Sequence, residues 1–246
     1  MNARTIFRTL GPIDARNIFR DANFKWMIFL PVFLALLLRF GLPPFSAWLQ
    51  AAYTFDLIPF YPAILGYFFV LMCPMIFGML TGFLLIDERD DNTLTALQVT
   101  PLPFRAYLAY RVAIPIVLTI VLMFVIFPLS GLGVFPPEHL LLTALAAAPT
   151  APLFGLTLAA FARNKVQGFA VTKMLGAVLI IPIFAYFTDS PWEYAYGVFP
   201  TYWPMKVYWL LEAGEPGVWP ILLVAVVYQL FLTKLLADRL HRELHR

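Results

Sequence analysis

The stretch FYPAILGYFFVLMCPMIFGMLTGFLLIDERDD, residues 60–91, decides the fold because it joins a long uncharged run directly to five consecutive charges. A helix needs about 20 mostly apolar residues to cross a bilayer, and the uncharged part of this stretch is long enough. Its apolar residues are continuous rather than alternating, which excludes a strand of a membrane β-barrel. The stretch therefore predicts one membrane-spanning helix that ends abruptly in a charged loop.

The composition extends this pattern to the whole chain. Of its 246 residues, 61% are hydrophobic and 13% are charged, whereas a soluble domain carries about 25% charged residues. We expect an all-α integral membrane protein with six transmembrane helices, because prolines inside apolar runs are tolerated within a helix bundle. The predicted spans are about 24–48, 60–86, 107–129, 140–161, 169–187 and 218–236. One transmembrane domain is expected over residues 1–246, with an amphipathic arm (1–24), the six-span bundle (25–236) and a cytoplasmic tail (237–246).

The basic residues predict how the chain is oriented. With six spans, all Lys and Arg except Arg39 and Lys206 fall on one side of the membrane: in the arm, around the loops after the second and fourth spans, and in the tail. The positive-inside rule then places both termini in the cytoplasm of a multi-pass protein in the cell (inner or plasma) membrane. This topology accounts for the net charge of +3, so we expect no nucleic-acid partner.

Two further segments have an amphipathic or aromatic character. In the N-terminal arm, a helix after Gly11-Pro12 is expected to lie in the membrane interface, and these two residues are expected to separate it from a shorter piece. The external segment 188–217 is rich in Tyr, Trp and Pro. Residues 205–211 predict a short helix that lies at, or dips into, the outer leaflet. The alternative is an ordinary aromatic belt.

After the charge cluster, residues 92–100 predict a short helix parallel to the membrane. Asn92 or Thr93 is a suitable N-cap residue, and Asp90 and Asp91 would lie near the positive helix end. Pro101 disfavours continuation of the helix.

Leu94 and Leu97 share one face of this predicted helix. Leucines on a cytoplasmic loop require cover, which lipid headgroups, the protein's own bundle or a second protein would supply. The simpler alternative for so charged a loop is a solvated turn.

The stretch IDERDDNTLTALQVTPLPFRAYLAYRV, residues 86–112, resembles the signature of ABC-2 type transporter permeases. In that family a segment of the form E-R-E-R-G-T-L-E-x-L-L-x-T-P-L-S follows the second span. Asn92 replaces the usual Gly, and Ala96 and Gln98 stand where Glu and Leu are common. The matching residues are Glu88, Arg89, Thr93, Leu94, Leu97, Thr100, Pro101, Leu102 and, as the basic residue that enters the third span, Arg111.

The resemblance implies that the loop is a coupling helix that seats in a groove of an ATP-binding cassette (ABC) ATPase subunit. The residues that it implies in this contact are Asp87, Glu88, Arg89, Asp90, Asp91, Thr93, Leu94, Leu97 and Pro101. The chain contains no G-x-x-x-x-G-K-[ST] run, so ATP and Mg²⁺ are expected on that separate subunit. No catalytic, cofactor or metal site is expected on this chain, and a second permease copy is implied, as a homodimer or a paired permease.

The expected function is export of a hydrophobic or amphipathic substrate, drug-like or lipid-like. Residues of a possible substrate path are Arg39, Met72, Met75, Met79 and Gln229. For Arg39 the alternative is snorkelling to the outer headgroups, and for the methionines it is helix packing. Export of a polysaccharide or glycolipid and a non-transporting assembly role remain open. An intramembrane enzyme is disfavoured because the spans lack a constellation of polar residues at matched depth.

Overall fold

The computed structural model describes residues 3–20, 22–91, 103–188 and 190–244, and these residues form helices and connections without a strand. Short 3₁₀ helices lie at Ile58–Phe60 and Pro191–Val198, and a π-helical turn lies at Gly66–Met72. The α-helices are α1 (Ala3–Arg20), α2 (Ala22–Tyr53), α3 (Tyr61–Leu65), α4 (Cys73–Asp90), α5 (Phe104–Ser130), α6 (Pro137–Ala147), α7 (Thr150–Phe161), α8 (Lys165–Val178), α9 (Ile181–Tyr186), α10 (Tyr202–Ala213) and α11 (Val218–Leu244).

Six stretches of the described residues are long and apolar enough to cross a membrane, which confirms the predicted all-α, six-span fold. We number them span 1 to span 6. They are Phe24–Tyr53, Ile58–Asp90, Ala106–Ser130, Pro137–Phe161, Lys165–Tyr186 and Val218–Leu240.

Spans 2 and 4 form the centre of the bundle. In their most apolar windows 83% and 78% of the residues are buried, against 17–28% in the other four spans. Small residues allow this close packing: a Cβ atom on Gly82 would lie 2.8 Å from the carbonyl oxygen of Gly155, and one on Gly155 would lie 2.7 Å from the carbonyl oxygen of Gly78. Such contacts between small residues are a main source of helix association in membranes.

The N-terminal arm is one helix, α1, and the predicted separation at Gly11-Pro12 is wrong. Pro12 removes one backbone donor, which a helix tolerates when other contacts hold it. Here α1 packs against α2 and α5, and those contacts outweigh the lost hydrogen bond. The side chains of Arg8, Arg16 and Arg20 are exposed.

The segment predicted to be external, residues 188–217, folds back beside span 6. The predicted short helix is present as part of α10, whose residues Tyr202, Met205 and Val207 are fully buried in the bundle. The Oη atom of Tyr228 donates a hydrogen bond of 2.9 Å to the carbonyl oxygen of Val198. Tyr228 lies ten residues into span 6, about 15 Å from the outer end of that helix. The C-terminal end of the 3₁₀ helix that precedes α10 therefore lies alongside the middle of span 6.

Candidate functional site

A buried charge cluster joins three helices at the cytoplasmic end that the topology predicts. The guanidinium of Arg111 on α5 donates hydrogen bonds of 2.9 and 3.1 Å to the two carboxylate oxygens of Asp14 on α1, and one of its nitrogens also donates to Glu88 on α4. Tyr107 donates to Glu88 and accepts a 3.0 Å bond from Arg111, while Tyr110 donates a 2.8 Å bond to Asp14. We call these five residues the inner cluster.

Burial determines the energetic role of the inner cluster. The side chain of Arg111 is only 4% exposed, and those of Asp14 and Glu88 are 14% and 20% exposed. Replacing a buried pair by apolar groups is often harmless, but removing one member leaves an uncompensated charge at a cost of about 3–5 kcal/mol. The inner cluster therefore holds α1, α4 and α5 in one arrangement.

The residues on either side of Glu88 connect α4 to two further spans. Arg89 donates a 3.2 Å hydrogen bond to the carbonyl oxygen of Ala159 and a second bond to that of Ala162, at the C-terminal end of span 4. Asp87 forms a 3.0 Å salt bridge with Lys165, the first residue of span 5. Both pairings suit the helix dipole, which favours a cation at a C-terminus and an anion at an N-terminus.

Three consecutive residues in the last turn of α4 thus bind three different spans. The turn leads directly into residues 92–102, and the helix that follows them, α5, contributes Arg111 to the same cluster. Both ends of the segment 92–102 are therefore attached to the inner cluster. Among the described residues no group of His, Cys, Asp and Glu is arranged to hold a metal ion.

The predicted partner-binding residues fall into three groups. Asp87, Glu88 and Arg89 contact their own chain, as described above. Asp90 and Asp91 are exposed at the C-terminal end of α4, and the helix predicted to begin after them lies outside the described residues. Thr93, Leu94, Leu97 and Pro101 lie outside the described residues. A contact between these nine residues and an ATPase subunit stays a prediction.

The residues predicted for a substrate path do not meet in one place. Arg39 is exposed, and its Nη1 donates a 2.9 Å hydrogen bond to the carbonyl oxygen of Leu129, near the outer end of span 3. Met75 is buried in the apolar core, and Met72 and Met79 pack against that core on span 2. None of these contacts tests a substrate path.

Gln229 joins span 6 to a break in span 4. Its Nε2 donates hydrogen bonds of 2.9 and 2.8 Å to the carbonyl oxygens of Ala146 and Ala225, and its Oε1 accepts a 2.5 Å bond from the Thr150 hydroxyl. Pro149 lacks an N–H, so the helix is interrupted there and its carbonyls require other donors. The buried amide supplies one of them.

The roles of Asp14, Tyr107 and Tyr110 and the partners of Arg111 were not predicted from the sequence. One signal was available: Arg111 lies inside the apolar run of span 3, and a charge at such a position normally has a buried partner. Asp14 is also one of only two acids, with Asp21, in a mostly basic arm. The spacing along the chain does not reveal their pairing, because 97 residues separate Asp14 from Arg111.

The end of the bundle opposite the inner cluster, which the topology predicts to be the outer end, carries a different polar region. Lys206 on α10 forms a salt bridge of 2.8 Å with Glu193 of the preceding 3₁₀ helix. Together with Trp209, Glu212 and Glu215 they line a cavity of about 460 Å³. Partial burial raises the pKa of the Glu212 carboxyl, and the nearby His139 opposes that shift.

Comparison with known proteins extends over nearly the whole chain. A family model described as "Fluoroquinolones export permease protein Rv2686c-like" matches residues 14–237. Two curated relatives are 34% identical over 234 residues, which is 93% of this chain and 91% of each relative. They are the fluoroquinolones export permease protein Rv2686c of Mycobacterium tuberculosis strain ATCC 25618 / H37Rv and the fluoroquinolones export permease protein MT2760 of strain CDC 1551 / Oshkosh. No solved structure matches significantly.

These matches confirm the predicted resemblance to drug-efflux permeases. Because the family model covers most of the chain and the relatives align along nearly all of it, the chain belongs to the Rv2686c-like family of export permeases.

Proposed function

We propose that this chain is the membrane subunit of an ATP-driven exporter of amphipathic, drug-like molecules. A separate ATP-binding cassette subunit, which holds ATP and Mg²⁺, contacts residues 92–102 on the cytoplasmic face. The name of the relatives supports the substrate class, and fluoroquinolones are planar molecules with both apolar and polar parts. The absence of a P-loop from the sequence supports a separate ATPase.

The inner cluster is the observation that carries this proposal. A push on the segment 92–102 reaches α4 and α5 at their cytoplasmic ends, where Arg111 and Glu88 join them. Asp14 extends the connection to the arm, and Arg89 extends it to span 4. Movement of a bound ATPase would therefore displace several spans together rather than bend one loop.

The proposed orientation places both termini in the cytoplasm. A second permease copy is proposed to lie beside the first. The distribution of Lys and Arg supports the orientation. The orientation is tested with two variants in a Cys73→Ala background, each with a single cysteine: Asp91→Cys and Val134→Cys. In right-side-out vesicles a membrane-impermeant maleimide is expected to label Val134→Cys and to leave Asp91→Cys unlabelled. The reverse pattern would invert the topology and with it the proposed ATPase contact.

The ATPase contact itself is tested by a charge on the predicted coupling face. We expect Leu97→Asp to abolish co-purification with the ATPase and drug-stimulated ATP hydrolysis, because a buried carboxylate opposes docking. Val134→Asp is the matched control, since Val134 is 93% exposed on the opposite side of the bundle. Normal assembly and hydrolysis with Leu97→Asp would overturn the proposal.

A further inference from the structure

The two most buried spans both leave regular α-helical geometry at about the same depth. In span 2 the π-helical turn Gly66–Met72 lies about 12–21 Å from the N-terminal end of the span. In span 4, α6 ends at Ala147 and α7 begins at Thr150, about 15–20 Å from the N-terminal end of that span. π-helical turns are frequent at functional sites, and sharp bends of helices occur at them and at prolines. Both central spans therefore have a segment at this depth where they can bend.

Pro149 interrupts the hydrogen bonding of span 4. It has no N–H, so the helix loses one backbone donor at this point. The N–H of Ala151 donates a 3.1 Å bond to the carbonyl oxygen of Ala148, which is three residues back rather than the four of an α-helix. The next bond across the break, from the N–H of Leu153 to the carbonyl oxygen of Pro149, is long at 3.4 Å. The backbone therefore resists a change of angle between α6 and α7 less than it does within either helix.

The side chain of Gln229 on span 6 binds both sides of this break. Its Nε2 donates to the carbonyl oxygen of Ala146 in α6, and its Oε1 accepts from the hydroxyl of Thr150, the first residue of α7. All three residues are fully buried. A buried carbonyl that loses its donor is unfavourable in apolar surroundings, so these bonds oppose separation of the groups that make them. Gln229 therefore holds α6 and α7 at one angle.

The two halves of span 4 pack against different neighbours. The half formed by α7 is locked to span 2, because a Cβ atom on Gly78 would overlap the carbonyl oxygen of Ala151. A Cβ atom on Gly82 would likewise lie 2.8 Å from the carbonyl oxygen of Gly155. The half formed by α6 packs mainly against α5, α10 and α11, and it shares an apolar cluster with Val207 of α10. A rotation at the break would move α6 and leave the glycine contacts in place.

We infer that the break at residues 148–149 is a hinge about which α6 turns relative to α7, and that Gln229 holds this hinge closed. Opening separates the Gln229 amide from the Ala146 carbonyl oxygen, so this bond determines how often the hinge opens. The π-helical turn of span 2 lies level with the hinge and packs against α10. The hinge goes beyond the proposed export function: it lets the N-terminal ends of the central spans change shape while the inner cluster keeps its arrangement.

The native residue Cys73 reports this motion. Gly78 of span 2 lies level with Ala151 of span 4, and the two spans run in the same direction. Cys73 and Ala146 each precede those residues by five positions, so they lie level with one another. Cys73 is fully buried and belongs to the same apolar cluster as Ala147. The rate at which a small reagent modifies a buried thiol under native conditions measures local opening of the structure around it.

The test measures the rate at which N-ethylmaleimide modifies Cys73 in the full chain in lipid nanodiscs. Gln229→Leu removes both bonds across the break and is expected to raise this rate about tenfold or more. Pro149→Ala restores the missing N–H, so it should lower the rate about threefold or more and suppress most of the increase when combined with Gln229→Leu. Pro115→Ala is the matched control, because Pro115 is also buried but lies within the continuous helix α5. It should change neither rate by more than about twofold.

Suppression by Pro149→Ala separates a hinge from a general loss of stability. If the increase in Gln229→Leu is equally high with Pro149→Ala and with Pro115→Ala, or rises steeply with added denaturant, Gln229 stabilises the whole fold and the hinge is overturned. An unchanged rate in folded Gln229→Leu overturns it as well. Should Gln229→Leu fail to fold, Thr150→Val removes only the bond to α7 and should raise the rate about threefold, and an unchanged rate then contradicts the hinge. These measurements use no ATPase and no drug, so a negative result leaves the proposed function in place.

Discussion

The charged residues at the two ends of the bundle are used in opposite ways. At the inner end, Asp14, Glu88 and Arg111 connect helices that are 23 to 97 residues apart in the chain. At the outer end, Lys206 pairs with Glu193, only 13 residues away and within the same external segment. The inner end is therefore cross-linked between spans, whereas the outer segment carries its own internal link.

This difference indicates which parts move together. Cross-links between spans make the inner end respond as one body to a force on residues 92–102. A segment with an internal ion pair keeps its shape when it shifts relative to the spans around it. The proposed ATP-driven exporter requires both properties, since force would enter at the ATPase side and cargo would leave on the other. Removing charges at one end or the other tests whether the two ends differ as described.

The largest effect is expected from Arg111→Met. This change leaves the carboxylates of Asp14 and Glu88 close together without their cation, which costs about 3–5 kcal/mol and lowers the Tm by roughly 10 °C. Cys73 suits the measurement, because it is the single cysteine of the chain and is fully buried, so a thiol-reactive dye reports unfolding.

A triple variant sharpens this result. Combining Arg111→Met with Asp14→Asn and Glu88→Gln removes all three charges and should recover at least half of the lost Tm, because buried charges are costly only when uncompensated. Transport should remain low in the triple variant, since the link between the arm and the two spans is weakened. A triple variant that exports drug at the wild-type rate would show that the inner cluster serves folding alone.

A smaller effect is expected from Arg89→Met, which removes the two hydrogen bonds to the end of span 4. The acceptors are neutral carbonyls, so the loss is about 1.5–3 kcal/mol. ATP hydrolysis by the assembled complex should persist while drug export falls, because the C-terminal end of span 4 is then held to α4 by packing alone. Equal loss of hydrolysis and export would instead place Arg89 in the ATPase contact that the sequence resemblance implies.

The sequence predicted the spans well because each is a long apolar run, and this property is local. It also indicated α10, since residues 205–211 are apolar and aromatic. It did not reveal why the charge cluster is so dense: Asp87, Glu88 and Arg89 each bind a different span, and those pairings arise only when the helices pack. The close contact of Gly82 with the backbone of span 4 is likewise a property of packing that the apolar run alone does not show.

At the outer end, Lys206→Met should cost less than either inner change, about 1–2 kcal/mol. Both partners are more than four-fifths buried, but they lie beside a cavity of about 460 Å³ that admits water to Glu193. The Tm should fall by only a few degrees, and ATPase assembly should be unaffected. A Tm loss as large as that of Arg111→Met would show that the outer ion pair holds the bundle together and would remove the contrast between the ends.

The smallest effect is expected from Arg39→Met. Arg39 joins span 1 to the outer end of span 3 through its hydrogen bond to the carbonyl of Leu129, which makes it an exception to the internal pairing of the outer end. The side chain is exposed, so solvent screens it and replaces the lost bond, and the cost should be up to about 0.5 kcal/mol. An unchanged Tm with reduced fluoroquinolone export would point to cargo contact rather than helix capping. An unchanged Tm with normal export would assign Arg39 to the outer headgroups, and the inner end would then hold every charged link between spans that matters for coupling.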